Sequence, residues 1–364
     1  MTKTRSIDLQ NLRDFLLSRD WKLKSGDRFD RYIPPSGLGL DPDFFLTVPR
    51  TAEAPDVQKF LSRVVDTVAD LYSVSEDQIR PVLAEADTVM AIRLEDDQTA
   101  SGSIPFTRFE GMMEKLGKVL LDAAAFVVND DPVIDKIPPE AQTYLGLCNF
   151  LQTEVGSFVA KVQLPSQQVL RGRSLFEDQL PAAAVTERLE SVLSFVLGPV
   201  FHGVSEIFSE EHLRENMELV NLDLLGDIKE FLVRASSRSV SFSFLSTKKT
   251  TFVSSGVLTS GKTDNLSNYI SFVRASVADN FTINVEGRIV ELRSRNPQSN
   301  RNYIVVQGLI DGQPNFVAVT LSNDLYAVAI QAHRSNRRVR LRGLARRMKT
   351  QVKITDLEFF MPVG

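Results

Sequence analysis

The spacing of apolar side chains changes several times along the first part of the chain. Residues 8–18 carry apolar side chains at helical intervals behind Asp8, a residue suited to cap a helix N-terminus. Three short stretches of strand character follow, separated by Gly and Pro, and residues 56–72 have helical spacing again. The pattern predicts a small α-β-β-β-α unit over residues 1–86, an order found in small RNA-binding folds and in many unrelated domains. The three predicted strands are Trp21–Leu23, Phe29–Ile33 and Phe44–Val48.

The apolar pattern of residues 87–279 alternates between strand-like and amphipathic helical stretches. An amphipathic helix buries its apolar side in a core, so core packing explains these stretches without a ligand. The pattern predicts a mixed α+β body. The predicted strands are Val89–Leu94, Phe158–Leu164, Val240–Phe244 and Thr250–Val253, and the predicted helices are Arg108–Val128, Pro139–Leu151, Ala182–Phe201, Glu210–Ala235 and Leu266–Val277.

From Phe281 onward, apolar and polar residues alternate with the period of a β-strand. Asp311-Gly312 is a strong hairpin signal between two further strands, and Ser322 is suited to cap a helix before the last two strand patterns. The predicted order over residues 280–364 is β-β-β-α-β-β. This order resembles that of the OB-fold, a five-stranded Greek-key barrel with its helix between the third and fourth strands. The expected fold class is therefore α+β, a mixed body followed by a small barrel of OB-like topology.

Charge is distributed unevenly between the body and the tail. Residues 281–364 contain 13 Lys and Arg against 6 Asp and Glu, whereas the rest of the chain contains 29 against 40. A basic module on an acidic body indicates a polyanionic partner for the tail and suggests a protein partner for the body.

Cationic side chains concentrate in the two loops that frame the ligand face of an OB-fold, the first-to-second and fourth-to-fifth strand loops. Phosphate backbones require such cations, and aromatic side chains on the second and third strands supply surfaces for base stacking. We therefore predict that the tail binds single-stranded DNA or RNA. The predicted contacts are Arg293, Arg295 and Arg301 in the first loop, Arg346, Arg347 and Lys349 in the second, Arg338, Arg340 and Arg342 along the fourth strand, and the aromatic residues Tyr303 and Phe316.

Two other interpretations of the tail stay open at this point. The arginines of a small barrel also serve as a solvated exterior or pair with the acidic body, and the supply of aromatic side chains for stacking is small. A peptide or protein ligand is the other alternative, in which case the chain is a protein-interaction subunit of a larger assembly.

A separate motif points to nucleotide binding. Residues 256–263, from Gly256 through Gly261 and Lys262 to Thr263, match the G-x-x-x-x-G-K-[ST] pattern of a phosphate-binding loop. The motif lies between a predicted strand and a predicted helix, as a phosphate-binding loop requires. However, a P-loop fold needs a buried parallel strand, and residues 250–254 are polar for that position. A nucleotide-dependent switch is thus a second alternative. A Gly- and Ser-rich hairpin loop explains the same residues without a nucleotide.

The remaining composition excludes several classes of chemistry. One cysteine, Cys148, allows no internal disulfide, and three histidines far apart in sequence make a zinc site improbable. The acidic pair Asp130 and Asp131 is expected in a turn, where loop propensity explains it. Because no signal peptide or membrane-spanning run is present, we expect a cytoplasmic protein without a membrane partner. The absence of a G-x-S-x-G elbow, of a Cys-His combination and of His-ligand spacing favours a non-enzymatic or accessory protein without a cofactor or a metal site.

Overall fold

The computed structural model describes residues 6–53, 56–100, 102–151, 158–171, 179–278, 281–294, 302–310, 312–348 and 351–363. These residues build an N-terminal α+β unit, a larger α+β body and a C-terminal closed β-barrel, each with a hydrophobic core. The predicted fold class is thereby confirmed.

The N-terminal unit contains the predicted α-β-β-β-α order and adds a third helix. Its sheet has the order β1-β2-β3 with antiparallel pairing. The side chain of Asp8 accepts hydrogen bonds from the amides of Gln10 and Asn11 at 2.8 and 2.9 Å, so it caps the first helix as expected. Val89 and Leu245 of the body complete this core, so the unit packs directly on the body. The elements are α1 (Leu9–Leu17), β1 (Lys22–Lys24), β2 (Phe29–Ile33), β3 (Leu46–Pro49), α2 (Val57–Leu71) and α3 (Glu76–Glu85).

The body is a five-stranded antiparallel sheet covered by long helices. Its strand order is β10-β9-β4-β6-β5, and the hairpin of β9 and β10 lies where the sequence predicts it. A separate short pair, β7 with β8, lies outside this sheet. The elements are β4 (Thr88–Glu95), α4 (Phe106–Asn129), α5 (Pro139–Leu147), β5 (Asn149–Leu151), β6 (Val159–Leu164), β7 (Val169–Arg171), β8 (Leu180–Pro181), α6 (Ala183–Phe195), α7 (Glu210–Glu215), α8 (Leu222–Ala235), β9 (Ser239–Leu245), β10 (Thr250–Val257) and α9 (Ser260–Ala278).

Four predicted helices of the body have wrong boundaries, and one of them, predicted over Leu266–Val277, begins already at Ser260. The helix predicted over Pro139–Leu151 ends at Leu147, and its last residues form β5. The helix predicted over Glu210–Ala235 is divided, because extended Asn221 accepts a hydrogen bond from the Leu224 amide at 2.9 Å and caps α8. The helix predicted over Ala182–Phe201 leaves α geometry after Phe195, and Pro199, which has no amide hydrogen, lies in the π-helical turn that follows.

The C-terminal barrel closes in the order β11-β12-β13-β15-β14. The pair of β13 and β15 is parallel and the other four pairs are antiparallel. The helix α10 connects the third and fourth strands, so the predicted β-β-β-α-β-β order is confirmed. The elements are β11 (Phe281–Arg293), β12 (Asn302–Ile310), β13 (Gln313–Leu321), α10 (Asn323–Arg334), β14 (Arg338–Arg347) and β15 (Val352–Val363).

Close approach of two strands makes Gly287 of β11 necessary for the barrel. A Cβ atom at this position would lie 2.2 Å from the carbonyl oxygen of Gln307 on β12. Backbone on both sides of the contact is held by strand pairing, so the clash is relieved only by distorting the barrel.

We expect Gly287→Ala to lower the free energy of unfolding by roughly 1–3 kcal/mol, the usual cost of overpacking. Gly117→Ala on α4 is the matched control, because no heavy atom outside the helix lies within 4 Å of its added Cβ. That control should be neutral or stabilising by up to about 1 kcal/mol, since alanine favours a helix. Urea unfolding followed by circular dichroism measures both values, and equal stabilities of the two variants would contradict the prediction.

Candidate nucleic-acid interface

The described residues that flank the two predicted ligand loops meet at one end of the barrel. Tyr303 is the second residue of β12, after the first loop, and Gln351 directly precedes β15, after the second. The Gln351 amide nitrogen donates a hydrogen bond to the Tyr303 hydroxyl oxygen at 2.9 Å. The Arg293 guanidinium lies over the Tyr303 ring, 5.7 Å from its centroid, and forms an ion pair with Glu291. These residues place a cation and an aromatic ring together beside the ends of both loops, and we call Arg293, Tyr303 and Gln351 the barrel pole.

The second predicted aromatic residue, Phe316, is separated from the barrel pole. It lies on β13 opposite Gln307, with 44% of its surface exposed. Gln307 lies four positions further along β12 than Tyr303, about 13 Å of strand. The intervening outward pair, Val305 and Ala318, is only 5% and 0% exposed. The two aromatic residues therefore do not form one continuous stacking surface.

Arg338, Arg340 and Arg342 lie along the outer face of β14, as the alternation with Val339 and Leu341 predicts. All three are exposed and all three are paired. Arg338 and Arg340 contact Glu286 on β11 at 3.6 and 2.8 Å. Arg342 contacts Glu358 on β15 at 2.8 Å. Much of the positive charge on this face is therefore neutralised within the barrel itself.

Arg346 differs most from its sequence-based prediction. We expected it in a solvent-exposed loop, but it lies on β14 with a side chain only 8% exposed. Its Nη2 atom donates to Oδ2 of Asp131 at 2.6 Å and to Oδ2 of Asp135 at 2.9 Å, and both carboxylates belong to the body. Lys353 on β15 donates to the same Asp131 oxygen at 3.2 Å. We call these four residues the interdomain ion cluster.

The electrostatics of the interdomain ion cluster favour the charged form of Arg346. Burial alone lowers the pKa of Arg346, but the hydrogen bonds and charges of Asp135 and Asp131 outweigh it and raise the pKa above its ordinary value. The carboxylate of Asp131 is 5% exposed and receives bonds from both cations. Asp131 was expected as an ordinary turn residue. Nothing in the sequence near it indicates its partner, which lies 215 positions away.

Four of the predicted phosphate contacts receive no side-chain description. Arg295, Arg301 and Lys349 lie outside the described residues. Arg347 ends β14, where it pairs with Val352 through the backbone.

The phosphate-loop motif adopts a different geometry from the one that nucleotide binding requires. The strand β10 before it is an antiparallel edge strand rather than a buried parallel one. The Lys262 ammonium donates to the carbonyl oxygen of Ser255 at 2.6 Å, and the Thr263 hydroxyl donates to the carbonyl of Ser260 at 2.8 Å. Gly256 has a φ of +55°, and Gly261 lies in the first turn of α9. The motif is thus used to join β10 to α9, and the structural support for a nucleotide site is lost.

We expect Mg-ATP and Mg-GTP to leave the melting temperature of the protein unchanged. Lys262→Ala should lower the free energy of unfolding by about 1 kcal/mol, because it removes a hydrogen bond that closes the turn between β10 and α9. Differential scanning fluorimetry with and without nucleotide measures both effects. A nucleotide-dependent rise in melting temperature that Lys262→Ala abolishes would restore the phosphate-loop interpretation.

A cleft in the body contains a carboxyl pair that sequence analysis missed. The cleft measures about 660 Å³ and lies between α4, α8 and α9. Asp122 of α4 is buried there and shares a hydrogen bond with Asp227 of α8. Burial, that hydrogen bond and the charges of Asp227 and Asp223 raise the pKa of Asp122 to about 7. The sequence signal is weak, because acidic residues in an amphipathic helix usually face solvent.

We expect Asp122→Asn to stabilise the protein at pH 8 and not at pH 4. Folded Asp122 retains a proton up to about pH 7, whereas the unfolded chain releases it near pH 4, so the parent loses stability as the pH rises between these values. The variant lacks this titrating group, so its free energy of unfolding at pH 8 should exceed that of the parent by on the order of 2 kcal/mol. Asp356→Asn, at an exposed position, is the control and should show no pH-dependent difference. Chemical unfolding at pH 4, 6 and 8 provides the measurement, and a constant difference across this range would contradict the assignment.

The chain matches no protein-family model, no curated protein and no solved structure. Among the described residues, no helix is long and apolar enough to cross a membrane. The same part of the chain contains no group of three or more His, Cys, Asp or Glu side chains arranged to hold a metal ion. Burial raises the pKa of the Cys148 thiol to about 12, which makes its thiolate scarce at neutral pH.

Proposed function

We propose that this chain is a non-enzymatic or accessory nucleic-acid-binding protein whose C-terminal barrel binds a single strand. The observation that carries this proposal is the barrel pole, where Arg293 lies over Tyr303 and Gln351 joins the two loop ends. In an OB-fold, oligonucleotides bind at the face between these two loops. The strand order of this barrel, with β11 beside β14 and β13 beside β15, supports this comparison.

Both components of single-strand binding are available at the barrel pole. The Tyr303 ring offers a stacking surface to a base, and stacking is tolerant of sequence because every base has a π-face. Arg293 provides a cation beside that surface for a phosphate. By chain connectivity, Arg295 and Arg301 follow in the first loop, and Lys349 follows Arg347, the last residue of β14, in the second. This combination suits a nucleic-acid backbone better than an apolar small molecule.

A second candidate function is docking of a protein partner on the body. The edge strand β10 has unpaired backbone groups on its outer side in the described structure, and Phe252 on it is 68% exposed. Exposed apolar edge strands are sites at which another chain adds a strand. The acidic charge of the body, 40 Asp and Glu against 29 Lys and Arg outside the tail, favours a basic partner.

We expect the full chain to bind a fluorescent single-stranded oligonucleotide with strong salt dependence, and Tyr303→Ala to weaken this binding by roughly 5- to 100-fold. This range follows from the loss of one stacked base, about 1–3 kcal/mol. Tyr303→Phe keeps the ring and should retain most of the affinity. Arg63→Ala, an exposed arginine on the N-terminal unit, should leave affinity unchanged.

Fluorescence anisotropy at several salt concentrations measures these affinities for DNA and RNA. Equal affinities of Tyr303→Ala and the parent would exclude the barrel pole as the binding site. No binding by any form at low salt would remove the nucleic-acid proposal and favour the protein-docking alternative.

A further inference from the structure

The interdomain ion cluster occupies the middle of the outward surface that a single strand needs. Register connects Val305 to Ala318, Ala318 to Lys353, and Lys353 to Arg346, so these residues form one row across β12, β13, β15 and β14. The row is adjacent to Tyr303 and Thr320, the outward pair next to the barrel pole. Arg346 and Lys353 in this row contact Asp131 of the body. The body therefore contacts the barrel beside its candidate binding site.

The chemistry of this contact resembles that of a phosphate contact. Asp131 and Asp135 together receive three hydrogen bonds from Arg346, and Arg–carboxylate and Arg–phosphate pairs use the same donor geometry. Two carboxylates face two cations, so their charges balance. The Nε atom of Arg346 is buried and has no hydrogen-bond partner in the described part of the chain. An anion with more oxygen atoms than a carboxylate can therefore accept one further hydrogen bond, from this Nε–H group.

The body holds its two carboxylates on a fixed segment. The Asn221 side-chain nitrogen donates to the carbonyl oxygen of Asp131 at 2.9 Å, and the Leu222 amide donates to that of Pro132 at 2.8 Å. The Ile134 amide donates to the Asp223 carboxylate at 2.8 Å. The residues at the N-terminus of α8 thus hold the Asp131 segment through contacts within the body. Opening of the cluster consequently separates the barrel from an acidic surface that the body itself holds.

We propose that Asp131 and Asp135 occupy the places of two backbone phosphates and that the body thereby limits access of a single strand to the barrel. This inference rests on the proposed nucleic-acid function and adds its regulation. While the interdomain ion cluster is formed, a strand reaches the barrel pole but not Arg346 and Lys353. When the cluster opens, the same strand gains two further cationic contacts along the row. The acidic body competes with the ligand for the barrel.

The test compares the full chain with the isosteric double variant Asp131→Asn/Asp135→Asn. Asp66→Asn/Asp70→Asn on α2 is the matched control, because it removes the same charge from exposed positions remote from the barrel in sequence. Anisotropy of a fluorescent oligonucleotide of about 15 deoxythymidines is measured between 50 and 300 mM salt. Circular dichroism and thermal unfolding of each protein verify that it is folded.

The proposal predicts that the cluster variant binds on the order of tenfold more tightly than the parent at low salt. The slope of its log affinity against log salt concentration should be steeper by about 1.4, as expected for two additional phosphate contacts of a single strand. The control variant should show neither the steeper slope nor a tenfold gain. If the parent binds and the cluster variant binds with the same affinity and salt slope, the proposal is overturned while the proposed function stands. Absence of binding in all three proteins would overturn both.

A single variant covers the case in which the double variant does not fold. Asp135 is 68% exposed, so Asp135→Asn removes one carboxylate and leaves the buried Asp131 contact intact. It should increase affinity by a few-fold and steepen the slope by about 0.7, half of the double effect. Unchanged affinity and slope in this folded variant would also overturn the proposal.

Discussion

The buried ion pair of Arg346 and Asp131 is the constraint on which the arrangement of barrel and body depends. Both side chains are more than nine-tenths buried, so each is desolvated and compensated by the other. Removing one partner of such a pair typically costs about 3–5 kcal/mol, because the remaining charge is left without compensation. Asn221 donates a hydrogen bond to the carbonyl oxygen of Asp131 and so helps to hold the segment after α4 in place. The contact between body and barrel therefore includes polar contacts within the body as well as the ion pair itself.

Much of the fold is predictable from sequence because its signals are local. Alternation in β11, the Asp311-Gly312 turn signal and the helical spacing of α10 lie within short stretches, and together they gave the strand and helix order of the barrel. The predicted boundaries of helices and strands were wrong where a local signal was ambiguous. The apolar run ending at Leu151 fits a helix or a buried strand equally well, and pairing with β6 decided for the strand. The cap at Asn221 was hidden within a continuous helical pattern.

The candidate site was only partly predictable, since a sequence gives the sign of a charge but not its partner. Tyr303 and Arg293 lie at the predicted loop ends, because chain order fixes where loops begin. The partners of the arginines depend on tertiary structure. Glu286 reaches Arg340 across 54 positions, and Asp131 reaches Arg346 across 215. The carboxyl pair of Asp122 and Asp227 likewise exists only because α4 packs on α8.

The arginines of the barrel differ in how readily they exchange a carboxylate for a phosphate. Exposed pairs such as Arg340 with Glu286 are worth about 0–1 kcal/mol, so a ligand replaces them at little cost. The Arg346 pair is buried, and separating it leaves desolvated charges on both sides unless phosphate enters at once. If the proposed competition operates, an anion engages the exposed face first, and the interdomain ion cluster opens only when the incoming phosphates compensate the charges that it releases. Because this second step would need phosphates at two adjacent positions, the proposed competition favours a continuous strand over isolated anions.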